Sequence, residues 1–379
     1  MACFTLVENG HQLARICAEL RHETELALDL EADSLHHYRE KVCLLQLSTR
    51  TATWLIDPLL VTDLEPLGSL LASPDRLTVF HGGDYDIRSL HRDFGISVAR
   101  MYDTMIAAQF VGSTEFGLAA LLRSHFGIEL DKRFQKADWS KRPLTAEMAD
   151  YAAHDTAHLL RLTDHLQEKL QVLGRTAWVA EECVLVAANR IAEKGENPLF
   201  LRCKGAGKLS RRSLAILEEL LQLRDEYARS LDRPPFKVMS AESLLWVAER
   251  QIRTVRDLTG VPGLTPTLIK RYGEQLMSAV QRGLAWTDEN LPRFPRGRGE
   301  PNPGIKARVA RLKTWRETYC NRLALATGLV APNWLLERIA ELQPMNREQL
   351  ATVAGIRRWQ LGLWGDELVT IMAKEAQTP

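Results

Sequence analysis

Glu25-Leu-Ala-Leu-Asp29-Leu-Glu31 carries leucines at every second position, Leu26, Leu28 and Leu30, and ends on two carboxylates one residue apart. Alternation of this kind in a short segment predicts a strand with one face in a core. Successive side chains on a strand point to opposite faces, so Asp29 and Glu31 stand side by side on the other face. Two carboxylates about 5 Å apart repel by roughly 3 kcal/mol at an effective dielectric near 20, so the pair adds no stability by itself. A divalent cation turns that repulsion into binding energy.

Two more segments extend this pattern. Leu77-Thr-Val-Phe80 reads as a buried strand, and His81-Gly-Gly83 as the turn that ends it. Residues 84–94 then have helical spacing through Ile87, Leu90 and Phe94, which puts Asp86 in a first helical turn. The stretch from Leu144 to Leu170 reads as one helix, with apolar residues at Met148, Ala152, Leu159, Leu162 and Leu166. Pro143, Thr145 and Glu147 mark its start. Tyr151 and Asp155, four apart, share a face and address one centre. Taken singly, these residues also read as a solvated strand edge, a carboxylate favoured at a helix start and a half-buried tyrosine. Their order along the chain singles out a two-metal nuclease site.

The motifs resemble those of the DEDD exonuclease superfamily in its tyrosine-containing branch, and the surrounding text is similar to the ribonuclease D family. The similarity extends through Tyr102-Asp-Thr-Met-Ile-Ala-Ala108 and Ala137-Asp-Trp-Ser-Lys-Arg-Pro-Leu144 to Tyr151-Ala-Ala-His-Asp-Thr156. The sister branch carries a histidine five residues before the last aspartate, where this chain has Asp150, so His154 is not the catalytic partner. The resemblance implies a ribonuclease H-like α/β domain, a mixed sheet flanked by helices. It further implies two Mg²⁺ or Mn²⁺ ions held by Asp29, Glu31, Asp86 and Asp155, with Tyr151 positioning the attacking water. The implied activity is 3′-to-5′ removal of nucleotides from RNA with release of 5′-mononucleotides, on tRNA precursors and other structured RNA 3′ ends.

The residue types suit that chemistry. Hard divalent cations prefer oxygen ligands, which accounts for carboxylates without a Cys or His cluster. Gly-x-Ser-x-Gly, a phosphate-binding loop and a dinucleotide fingerprint are all lacking in the sequence, and Gly82-Gly83 is too short for a phosphate loop. His36-His37 with His81 lacks ligand spacing for a transition metal.

A chain of 379 residues exceeds what one core usually serves. Its net charge of +1 hides a division. Residues 1–170 carry 17 Lys+Arg against 25 Asp+Glu (net −8), and residues 171–379 carry 32 against 23 (net +9). The acidic part suits a metal site and the basic part a polyanion. Cys3, Cys17, Cys43, Cys183, Cys203 and Cys320 show neither paired nor zinc-type spacing and read as reduced, packed thiols. No apolar stretch approaches 18 residues, and the N-terminus lacks a basic segment followed by an apolar run. The expectation is a cytoplasmic monomer without a membrane span.

The basic part repeats itself at a spacing of 92. Tyr227 corresponds to Tyr319, Val238 to Val330, Leu244 to Leu336, Gly263 to Gly355 and Gly273 to Gly365. One offset held over this length argues for two copies of a helical module. Each copy resembles the HRDC domain, an accessory nucleic-acid-binding bundle. The expected organisation is an exonuclease domain at 1–171, a helical linker at 172–209, and HRDC bundles at 210–289 and 303–379. The segment 291–304, rich in Pro, Gly and Arg, reads as a spacer or as a phosphate-contacting strap. Arg202 to Lys208 with Arg211 and Arg212 reads as a solvated or an RNA-contacting loop. Trp139 and Phe134, among basic residues, either stack on a terminal base or pack locally. Two rivals remain: a DNA exonuclease of the same superfamily, since the five site residues do not sense a 2′ hydroxyl, and a catalytically idle RNA-binding adaptor.

Overall fold

The computed structural model describes residues 3–190, 197–295 and 303–376, with side chains to 373. Two compact units divide the chain. The first comprises residues 1–32, 42–191 and 300–379, and the second residues 33–41 and 192–299.

The leucine alternation builds the centre of the first unit. Strands β1 (Thr5–Val7), β2 (Glu25–Ala32), β3 (Val42–Ser48), β4 (Thr53–Ile56), β5 (Leu77–Phe80) and β6 (Met101–Asp103) form one sheet in the order β1-β4-β3-β2-β5-β6. β3 runs antiparallel to β2 and β4, whereas β5 pairs parallel with β2 and β6. Leu26, Leu28 and Leu30 enter the main core together with Leu45 and Leu47 of β3. The opposite face, with Leu44 and Leu55, packs under helix Ala146–Ala157 through Ala149, Ala152 and Ala153. Small residues let that helix approach the sheet. Ser48 Oγ lies 2.7 Å from Thr156 Oγ1 across this contact.

The single helix expected over 144–170 is two, Ala146–Ala157 and Leu159–Leu173, separated at His158. The first packs on β2, β3 and β4, and the second on β2, β5 and helix Thr104–Val111. The chain turns at His158 to cover both patches. Apolar spacing continues through the turn, so periodicity alone misses it. The start is as expected: Thr145 caps the helix by accepting the Met148 N–H at 3.2 Å.

The repeat appears as matching helices. Arg211–Ser230, Pro235–Val238, Ala241–Arg250 and Pro266–Ala285 in the second unit correspond, at the same spacing of 92, to Pro303–Leu323, Thr327–Val330, Asn333–Leu342 and Arg358–Ala376 in the first. Gly263 and Gly355 both take positive φ, +82° and +91°, in the turn before the last helix. A Cβ on Gly273 would lie 2.9 Å from Val255, so that glycine permits close packing, whereas Gly365 has ordinary room.

The C-terminal bundle is part of the first unit's core and not a separable appendage. Trp178, on helix Thr176–Ala187, stacks on Trp359 with ring centroids 4.9 Å apart. Glu181 accepts the N–H groups of Arg358 and Trp359, capping a helix to which it does not belong. Glu182 pairs with Arg357 at 3.0 Å.

In the second unit, Arg211 donates to the carbonyls of Asp288 and Leu291, and Arg212 to those of Leu284 and Trp286. These arginines open helix Arg211–Ser230 and brace their own bundle. All six cysteines are free thiols. Among the described residues no helix is long and apolar enough to cross a membrane.

Candidate active site

Four elements converge on one cleft of about 470 Å³, lined by Asp29, Glu31, His81, Lys132, Tyr151 and Asp155 among others. β2 supplies Asp29 and Glu31. Helix Ala146–Ala157 supplies Tyr151 and Asp155 from the same side of the sheet.

Asp86 arrives through a tight turn. Gly82 has φ +75°, and a Cβ on Gly83 would fall 2.6 Å from that of Phe80. The Asp103 carboxylate accepts the N–H groups of Gly82 and Gly83, each at 2.9 Å, and also those of Met105 and Ile106. One carboxylate therefore locks the turn before Asp86 and caps helix Thr104–Val111. Its role had a sequence signal, an Asp directly before an apolar helical run, but the long-range contact to the glycines had none.

Burial and neighbouring acidic groups shift the titration of this cluster upward. Burial pushes Asp29 up to about 6. Glu31 is pushed to about 10 by burial and then by Asp29, Asp155 and Asp86. Asp155 rises to about 8 through burial and Asp29, and Asp86 rises well above its usual range for the same reasons. Burial, followed by Asp155, Glu31 and Asp29, raises the Tyr151 phenol far above neutral pH. The cluster stores repulsion that a divalent cation would relieve, and hard oxygen donors fit such an ion. Among the described residues no group of three or more His, Cys, Asp or Glu side chains is already gathered to hold a metal.

Tyr151 is set between two aromatic rings, Phe134 at 5.8 Å and Trp139 at 6.0 Å between centroids. Trp139 is 1% exposed, so of its two readings local packing holds. Its loop is anchored by Arg142, which forms a two-pronged pair with the buried Asp57 at 2.5 and 2.8 Å and donates to the carbonyls of Cys43 and Trp139. Sequence spacing offered no sign of the Asp57–Arg142 pair, 85 residues apart. His81 holds Thr104 Oγ1 at 2.9 Å and His37 holds Asp232 at 2.7 Å, each an ordinary side-chain pairing.

A carboxylate-lined cleft over a central strand of a mixed sheet, with paired helical bundles behind it in the chain, defines a 3′-5′ exonuclease carrying accessory modules. The 3′-5′ exonuclease family matches residues 4–171, and the HRDC domain matches residues 213–280 and 305–372. Ribonuclease D of Gluconacetobacter diazotrophicus is 30% identical over 369 residues, covering 97% of this chain and 92% of that protein. Ribonuclease D of Granulibacter bethesdensis is 29% identical over 375 residues with the same coverage. The chain belongs to the ribonuclease D family of 3′-5′ exoribonucleases, whose exonuclease chemistry is metal-dependent. In fold, the crystal structure of Escherichia coli RNase D, an exoribonuclease involved in structured RNA processing, superimposes over all of both chains with a TM-score of 0.73 at 24% identity. The catalytic core of RRP6 from Trypanosoma brucei covers 75% of this chain and 80% of its own, with a TM-score of 0.66 at 29% identity. The expected architecture, a mixed sheet flanked by helices followed by helical bundles, is the one found.

Proposed function

We propose that this chain shortens RNA from the 3′ end by two-metal-ion hydrolysis, with tRNA precursors and other structured RNAs as substrates. The observation that carries the reading is one cleft lined by Asp29, Glu31, Tyr151 and Asp155, with Asp86 near enough to act on the Glu31 carboxyl. Asp29, Glu31, Asp86 and Asp155 would hold the two Mg²⁺ or Mn²⁺ ions, which when bound supply charge that acidifies the attacking water and stabilises the departing 3′ oxygen. The chain's own residues do the rest. Tyr151 keeps its proton at neutral pH, so its O–H orients the attacking water by a hydrogen bond and does not accept a proton from it. Water attacks the terminal phosphorus and the bond to the preceding 3′ oxygen breaks. That oxygen takes a proton, and a 5′-mononucleotide leaves. Lys132, at the rim of the cleft, offers a cation to the incoming backbone.

The working organisation is a nuclease at 1–171, a linker at 172–209 and nucleic-acid-binding bundles at 210–289 and 303–379, in a cytoplasmic monomer. Digestion of a 3′-extended tRNA, a matched single-stranded RNA and the same sequence as DNA, with Mn²⁺ and with EDTA, tests this reading. RNA shortened stepwise to 5′-mononucleotides only with metal supports it. Equal degradation of DNA would transfer the assignment to a DNA exonuclease, and no metal-dependent cleavage at all would favour an adaptor.

A further inference from the structure

Gln46 is the one amide on the sheet face beneath helix Ala146–Ala157, where its strand neighbours on that face are Leu44 and Ser48. It is fully buried, and neither its Oε1 nor its Nε2 has a hydrogen-bond partner. Burying an amide without a partner costs on the order of 1–3 kcal/mol, so such a group in a native core needs a reason. Leucine or methionine would fill the space without that cost.

The register supplies the reason. Gln46 is the direct cross-strand partner of Asp29 in the antiparallel β2–β3 pair. Paired residues project on the same face with Cβ atoms roughly 5 Å apart, so the amide and the carboxylate leave the sheet together, with no hydrogen bond between them in the metal-free arrangement. A carboxylate that ligates a metal through one oxygen is usually oriented by a donor on the other. We propose that Gln46 is a positioning residue that holds the Asp29 carboxylate for the divalent cation by offering its side-chain N–H. The inference rests on the reading of Asp29 as a metal ligand.

Calorimetric Mn²⁺ titration of the full-length parent, Gln46→Met, Gln46→Asn and Asp29→Asn, beside melts in EDTA, tests it. Methionine keeps the volume and removes both polar atoms; asparagine keeps an amide but withdraws it by one methylene. Both variants should bind Mn²⁺ about 10- to 100-fold more weakly. The metal-free melting temperature of Gln46→Met should equal or exceed the parent's, because an unpartnered amide has gone. A purely structural Gln46 makes the reverse pattern, an altered metal-free melt with parental affinity. If Asp29→Asn loses Mn²⁺ binding while both Gln46 variants retain it, the positioning role is overturned and the ligand assignment stands. If Asp29→Asn binds as tightly as the parent, both fall. Should the Gln46 variants fail to fold, the side-chain amide resonance of Gln46 in the parent decides: it should shift on Mg²⁺ addition, and an unmoved signal overturns the proposal.

Discussion

Replacing Asp29 by Asn should stabilise the metal-free protein, the opposite of what most substitutions at a buried position do. The size follows from the site. The Asp29 carboxyl is pushed up to about 6 by burial, against about 3.9 in an unfolded chain. Because the folded value is the higher one, the folded state holds its proton more tightly, and stability falls as pH rises from about 4 through about 6. Below pH 4 both states are protonated and the term vanishes. Above pH 7 the full difference of two units costs about 3 kcal/mol. Asparagine has nearly the same shape and does not titrate, so it avoids the cost. Asp155, pushed to about 8, and Glu31, pushed to about 10, stay largely protonated at pH 7 and do not blunt the comparison. The variant should therefore exceed the parent by about 3 kcal/mol at pH 7 in EDTA, roughly 6–12 °C for a cooperative unit of this size, and by under about 1 kcal/mol at pH 4.5. Mn²⁺ at a thousandfold excess over Kd should reverse the order, since the parent then gains about 4.1 kcal/mol and the variant gains little. Thermal melts at the two pH values, with and without metal, read all four numbers. A variant less stable than the parent at pH 7 in EDTA, or a difference independent of pH, would refute the reasoning.

Tyr151→Phe keeps the ring between Phe134 and Trp139 and removes only the phenol oxygen, so Mn²⁺ affinity should hold while single-turnover cleavage falls about 10²-fold, near 2.7 kcal/mol; a rate within about threefold of the parent would remove the residue from catalysis. Trp359→Ala opens the core that Trp178 and Phe110 share with the C-terminal bundle, and urea melts should show a loss of about 3–5 kcal/mol, which an independent bundle would not transmit to the nuclease. Arg142→Met leaves the buried Asp57 without its partner and should cost about 3–5 kcal/mol at neutral pH. Because the same loop carries Trp139 beside Tyr151, cleavage by the folded fraction should fall too, and an unaltered rate would mean that the loop does not position the tyrosine.

Local pattern determined much of this protein from its sequence alone. The strand at 25–31, the buried strand at 77–80 followed by a helix through Asp86, and the cap at Thr145 all follow from side-chain periods and from one backbone group needing a partner nearby. The bundle repeat was legible for the same reason, because duplicated packing needs duplicated spacing. Tertiary structure decided what depends on direction and distance. The break at His158 came from the need to cover two patches of sheet, and apolar spacing does not record a change of axis. The clamp of Asp103 on Gly82 and Gly83, the Asp57–Arg142 pair and the capping of one helix by Glu181 of another join residues far apart in the chain, and each end has an ordinary local reading. Gln46 shows the limit most clearly. In the sequence it is one polar residue in an apolar strand, and only the β2–β3 register, which a slip of one residue would turn to the other face, places it against Asp29.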